Sequence, residues 1–316
     1  MNNTKPQSSN PIRLPSHRGR LEWMNSLSYA QRQRLRFFEA RLLWEGQVNR
    51  QDVCSHFGVT ANHFTREVRS YRQYFPDNVV YDVSARAYRP TDEFQAGFAT
   101  SRPEEYLALL RVYTSSPSSA LMAELGATVT SEVLPEPEAV VDKDVLRGIL
   151  AAIHNTYGCE VRYQSFSSAG TKKRSVWPHA LVWADIGWYV RVYDKPRNRY
   201  INLALSRISS VMLTDQQKPE DAGDDLSWLE TEIVEVIPNP DLSPSQKRVI
   251  AKEYGMKKRA DGYVWRVALR RCLIPYFLYR HRLDEDRRKQ TRLGFPIQRI
   301  VVRDPMIIKR YAFPSD

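Results

Sequence analysis

GQVNRQDVCSHFGVTANHFTREVRSYRQYFPDNVVYDVSARAYR, residues 46–89, reads as two short helices around a glycine turn, with a small hairpin behind them. Asn49 has the side chain of a helix N-cap, and Val53 and Phe57 share a face four residues apart. Gly58 ends that helix as a residue free to adopt positive φ. Thr60 caps the next helix, which runs to about residue 74 with Phe64, Val68 and Tyr71 on its inner face. After Pro76-Asp77-Asn78, residues 79–83 and 86–89 are two extended segments joined by Ser84-Ala85. One more helix precedes the motif. Over residues 28–44, Leu35, Phe38 and Leu42 recur at three and four, and Gly46 stops the run.

Three helices and a hairpin in this order predict a winged helix-turn-helix. Such a head places its second motif helix in the major groove, while the wing touches backbone or minor groove. On that helix Thr60, Asn62, His63, Thr65 and Arg66 stand near the N-terminus, and Arg69 and Arg72 follow. Asparagine pairs with adenine and arginine with guanine in bidentate fashion, so Asn62 and Arg66 are the candidates for base readout. Arg69, Arg72 and the wing residues Ser84 and Arg86 are candidates for phosphate contact. A helix-turn-helix used only for packing or dimerisation would leave the same side chains merely solvated.

The charge distribution favours a polyanionic partner for this head. The 316 residues carry a net charge of +11, with 14 Lys and Arg against 7 Asp and Glu over residues 1–90, and 3 against 10 over residues 91–145. A basic head followed by an acidic stretch localises contact with a phosphate backbone. With 42% hydrophobic residues the chain buries real cores, and its length suggests two or three domains. No apolar run approaches the ~20 residues that cross a bilayer, and residues 1–20 lack a signal-like stretch, so the expected location is cytoplasmic. Cys54, Cys159 and Cys272 form no CxxC pair, and the six histidines show no metal-ligand spacing. P-loop, GxSxG, HExxH and GxGxxG patterns are all missing. Neither an enzyme nor a cofactor is expected.

Working outward, the chain divides into a flexible basic arm (1–20), the DNA-binding head (21–95), linker or dimerisation helices (96–143), a β-rich segment (144–215) and a C-terminal α+β extension (216–316). In residues 187–194 the side chains alternate: Trp188, Val190 and Val192 face one way, and Tyr189, Arg191 and Tyr193 the other. The first face is expected to be core. On the second, a guanidinium between two phenols suits anion contact and base stacking. Ordinary sheet packing by the tyrosines and a structural ion pair of Arg207 are the alternative.

The stretch from residue 28 to 90 resembles the winged head of WYL-domain transcriptional regulators. Residues 177–211, WPHALVWADIGWYVRVYDKPRNRYINLALSRISSV, resemble the WYL domain itself, with the signature written here Trp188-Tyr189-Val190. The tail from about residue 233, with VIPNPDLSPSQKRVIAKEYGM, resembles the extension that accompanies such domains. The order of parts is most similar to regulators of the BrxR or CapW type, encoded beside phage-defence systems. This resemblance implies an α+β multidomain fold with a central Sm- or SH3-like β-barrel, and a homodimeric repressor binding an inverted repeat. It also implies an effector pocket at His179, Tyr189, Arg191, Tyr193, Ser206 and Arg207. A nucleotide, cyclic nucleotide or nucleic-acid fragment bound there would release the DNA. An RNA- or single-strand-binding accessory without operator specificity is the other reading that a basic head and an Sm-like barrel permit.

Overall fold

The structure, a computed structural model, describes residues 16–126, 129–137, 139–166, 170–184, 187–284 and 298–313. They separate after Pro135 into two units. In the first, α1 (His17–Ser26) and α2 (Tyr29–Glu45) precede the motif helices α3 (Arg50–Phe57) and α4 (Ala61–Tyr74). Ser28 and Gln31 close a capping box at the start of α2. The Asn49 side chain caps α3 at Asp52 N, 2.9 Å away, and Thr60 caps α4 at His63 N, 3.3 Å away. Gly58, at φ +65°, makes the turn between them in the left-handed region, where a Cβ would be strained. Leu35, Phe38, Leu42, Val53, Phe64, Val68 and Tyr71 are all buried in one core. Each large side chain so removed from water contributes ~1.5–3 kcal/mol.

Strands β1 (Val79–Asp82) and β2 (Ala87–Pro90) form the expected hairpin, and Val48 pairs with Tyr88 to tie it to the helices. Most of the arm, residues 1–15, lies outside the described residues; positions 17–20 belong to α1. In the acidic stretch, α5 (Pro103–Ser115) matches the expected helix. A further helix, α6 (Ser119–Leu125), follows it.

The second unit begins with α7 (Lys143–Asn155), followed by β3 (Cys159–Gln164), β4 (Thr171–Ala184), β5 (Gly187–Asp194), β6 (Arg199–Ala204) and β7 (Ile208–Leu213). These strands make an antiparallel sheet in the order β6-β5-β4-β3-β7. Among the described residues β6 and β7 remain edges, so the expected barrel is not closed by strand pairing. Helix α7 packs its apolar face, Val145, Ile149 and Ala152, into the same core as Val161, Val190, Val192 and Leu203.

A short helix, α8 (Leu226–Leu229), leads into the C-terminal sheet of β8 (Thr231–Pro238), β9 (Lys257–Arg259), β10 (Gly262–Arg270) and β11 (Ile300–Val302), ordered β11-β8-β10-β9. Helices α9 (Pro244–Glu253), α10 (Ile274–Arg280) and α11 (Pro305–Tyr311) belong to this part, and Ile250, Ile274, Leu278 and Ile307 join Val234 and Val236 in a separate core. The basic run Arg287-Arg288-Lys289 lies outside the described residues. No helix among the described residues is long and apolar enough to cross a membrane.

Simple alternation fails on β5. Trp188, expected in the core, is 48% exposed and packs edge-to-face on its cross-strand partner Trp183. From Val190 to Asp194 every residue is buried, Arg191 and Tyr193 included. The cause is cover on both faces: α7 and the sheet core on one, the segment before β8 together with α10 on the other.

Candidate functional site

The first unit presents its basic side chains from α4 and the wing. Asn62, Arg66, Arg69 and Arg72 are exposed, and the three arginines make no ion pair among the described residues. Thr60 is exposed too, with its hydroxyl oxygen accepting the capping bond from His63 N. Thr65 donates to the Ala61 carbonyl at 2.7 Å and accepts from Arg50 Nη1 at 3.2 Å, which adds Arg50 to the cationic face. His63 sits half-buried with Nε2 3.1 Å from Glu67 Oε1 and 3.3 Å from Arg34 Nη2. On the wing, Ser84 and Arg86 are exposed, whereas Arg89 is held by Asp82 at 2.9 Å. Arg86 adopts φ +50°, a conformation that a non-glycine residue takes at some cost.

Buried charges set the angle at which α4 is offered. Arg34 on α2 and Glu67 on α4 form a bidentate pair with both side chains buried. Glu39, fully buried, accepts from the backbone N–H groups of Gly97, Phe98 and Ala99 and from the Tyr71 hydroxyl. Burial raises the Glu39 pKa, and these hydrogen bonds oppose the rise.

In the second unit the six sequence-expected ligand residues separate. His179 and Arg191 converge on one carboxylate, Asp225: Arg191 Nε donates to Oδ2 at 2.7 Å and Nη2 to Oδ1 at 2.9 Å, and His179 Nε2 lies 3.1 Å from Oδ2. Arg191 is 5% exposed, so its guanidinium is not on an open face. Burial by itself would raise the Asp225 pKa, but hydrogen bonds from His179 and Arg191 hold it down at about 2. Tyr193 is buried beside Trp177 and Tyr200, and its hydroxyl donates to Asn198. Tyr189 packs on Tyr276 of α10. Ser206 and Arg207 are exposed and do not line the cavity described next; Arg207 lies over the Phe166 ring.

A cavity of ≈ 370 Å³ opens beside the Asp225 cluster. Trp177, Pro178, His179 and Tyr200 form its wall on the sheet side, and Lys218, Asp224, Asp225 and Trp228 contribute the other. The His179 ring meets Tyr200 at 5.7 Å and Trp228 at 5.5 Å, both edge-to-face. Lys218 Nζ donates to the Tyr200 hydroxyl at 3.0 Å, and Arg270 stacks over Trp228 at 4.3 Å. Aromatic walls beside a lysine can hold a planar ring joined to an anion. Sequence reading had no signal for Asp225, Lys218 or Trp228, because they stand in a polar connection with neither strand nor helix period. Among the described residues no group of three or more His, Cys, Asp or Glu side chains is placed to hold a metal ion.

Three family descriptions match the chain: the BrxR transcriptional regulator winged helix-turn-helix domain over residues 30–112, the WYL domain over 144–213, and the BrxR transcriptional regulator C-terminal dimerization domain over 231–306. The DNA-binding transcriptional repressor CapW of Pseudomonas aeruginosa is 31% identical over 87% of this chain and 89% of its own length. CapW of Escherichia coli strain KTE188 is 32% identical over 83% and 86%, respectively. Among solved structures, proteasome accessory factor B/C of Arthrobacter aurescens aligns with TM-score 0.29 and 15% identity; the chain spans 46% of that protein's length.

Proposed function

From the premise that the chain belongs to the family of CapW DNA-binding transcriptional repressors, and is thus a transcriptional regulator rather than an enzyme, we propose that it represses a phage-defence operon as a homodimer. Two winged heads (21–95) bind an inverted repeat with half-sites one helical turn or a multiple apart. Residues 96–143 link each head to the WYL domain (144–215), and the extension (216–316) holds the dimer, in line with the dimerization domain matched there. The WYL strands, sharing one core with α7, are read as an SH3-like barrel open between β6 and β7.

One observation carries the DNA reading: Asn62, Arg66, Arg69 and Arg72 stand exposed along one helix whose opposite face is core, and among the described residues none of the three arginines is paired with a carboxylate. The wing supports it, since Arg86 keeps a long cationic side chain where glycine would fit more easily. An effector with nucleotide chemistry bound in the WYL domain releases the operator, because a ligand shifts the equilibrium only when it binds the DNA-free state better.

The test is fluorescence anisotropy of the full chain against its own upstream intergenic DNA and a scrambled duplex, at two salt concentrations. A preference of ~10³ or more is expected for the upstream fragment. Equal binding to both, with steep salt dependence, would instead favour the single-strand-binding accessory.

A further inference from the structure

Asp225 stands where a ligand's anion would be expected. It is buried on the segment that joins the WYL sheet to the C-terminal sheet, and all its hydrogen-bond donors come from outside its own side chain: Arg191 twice, His179, and the Trp228 backbone N–H at 3.2 Å. A fork of two parallel N–H donors plus an imidazole is a receptor for carboxylate or phosphate alike. The same segment supplies the outer wall of the neighbouring cavity through Lys218, Asp224 and Trp228, and it continues through α8 into β8, which pairs with both β10 and β11. Arg270, the last residue of β10, grips Trp228 by stacking over the ring and donating to its carbonyl oxygen.

We propose that Asp225 is an internal competitor for the effector: a phosphorylated nucleoside takes over Arg191 and His179, its base lies against Trp177 and Tyr200, and Asp225 leaves with the segment that leads into β8. This deepens, and rests on, the reading of the WYL domain as the effector site. Asp224, the other carboxylate on the wall, is on the departing segment, so the repulsion it offers an incoming phosphate falls as the segment moves. The cavity's ≈ 370 Å³ is in the range of pockets for small ligands and admits one nucleoside. The phosphate can belong to a free mononucleotide or to the 5′ end of a short single strand.

Calorimetric titration of the full chain with 5′-AMP, and with a trinucleotide with and without a 5′-phosphate, tests this. Asp225→Asn keeps the size and capping ability of the side chain but removes the competing charge. The variant is expected to bind the phosphorylated probes about tenfold tighter than wild type. That gain should vanish when Arg191→Gln is added. Which probe gains more identifies the source of the phosphate. In the wild-type chain, which needs no variant to fold, saturating AMP or phosphorylated trinucleotide should speed amide exchange over residues 224–230. Equal affinity of wild type and Asp225→Asn overturns the competition while leaving the effector pocket in place, as does unchanged or slowed exchange in a chain that binds the probe. Failure of every phosphorylated probe to bind either protein overturns the competition and the nucleotide effector together, whereas operator binding, measured separately, would stand.

Discussion

Arg34 and Glu67 meet through two parallel hydrogen bonds, Nε to Oε2 at 2.8 Å and Nη2 to Oε1 at 2.6 Å, and so join α2 to α4. Both side chains are less than one-tenth exposed. Removing one partner leaves the other charge buried and uncompensated, which destabilises by ~3–5 kcal/mol. Glu67→Ala should therefore lower the stability of the head by about that amount, seen as an early transition in thermal unfolding. The double change Arg34→Leu with Glu67→Leu should recover most of the loss, since a well-packed apolar pair replaces a buried ion pair at little net cost. A double variant as unstable as the single one would mean that the pair does more than hold α4 in place.

Arg66 and Arg86 are expected to fail in different ways. Arg66 lies on the exposed side of α4 and is proposed to read a base edge, so Arg66→Ala should cost ~1–3 kcal/mol on the operator and relax preference at one base position. Arg86, on the wing, should weaken operator and random DNA alike and reduce the salt slope by ~1 when changed to alanine. Competition binding with single-base operator variants separates the two; equal losses on operator and random DNA for Arg66→Ala would remove its role in readout.

The head was legible in the sequence because each of its boundaries is local. Asn49, Gly58 and Thr60 act on backbone groups within four residues, and Phe64, Val68 and Tyr71 obey the helical period. The WYL region was legible only in part. Val190 and Val192 follow strand alternation, yet Arg191 and Tyr193 are buried as well, because a segment 34 residues further along the chain covers their face. Alternation reports one covered face; it carries no information on a second layer laid across it. Asp225 was invisible for the same reason, as its partners are named by tertiary contact alone. The pair Arg34–Glu67, 33 residues apart, was equally beyond periodic reading.

The acid response of the second unit should bear the mark of Asp225. Although burial favours the protonated form, His179 and Arg191 hold the carboxyl at about 2, below its usual 3.8. A group with a lowered folded-state pKa contributes stability above its unfolded value, and that contribution fades as pH falls through the folded value. The stability gap between wild type and Asp225→Asn should thus be constant above about pH 5 and shrink between about pH 4 and 2. Urea unfolding followed by tryptophan fluorescence across this range gives the gap directly. Other carboxylates are common to both proteins and cancel in the difference. A gap that persists unchanged to pH 2 would assign the effect of the substitution to something other than the ionised carboxylate.

At Gly148 α7 passes close to the sheet. A Cβ added there would lie 2.9 Å from Cγ1 of Val211 on β7 and 3.0 Å from its Cβ, and Val211 is β-branched with little freedom to turn aside. Alanine at an exposed helix position gains up to ~1 kcal/mol over glycine. Here the gain is opposed by overpacking, which costs ~1–3 kcal/mol when neighbours cannot move. Gly148→Ala should accordingly destabilise the second unit, or leave it unchanged at best, and Gly148→Val should do so more strongly. Pairing Gly148→Ala with Val211→Gly removes both of the clashing atoms and should bring back the helix gain, so the double variant is expected to exceed Val211→Gly alone in melting temperature. Should Gly148→Ala by itself raise the melting temperature, the separation of α7 from β7 would have to be adjustable, and the helix could not be the fixed lid on the core that its buried Val145, Ile149 and Ala152 describe.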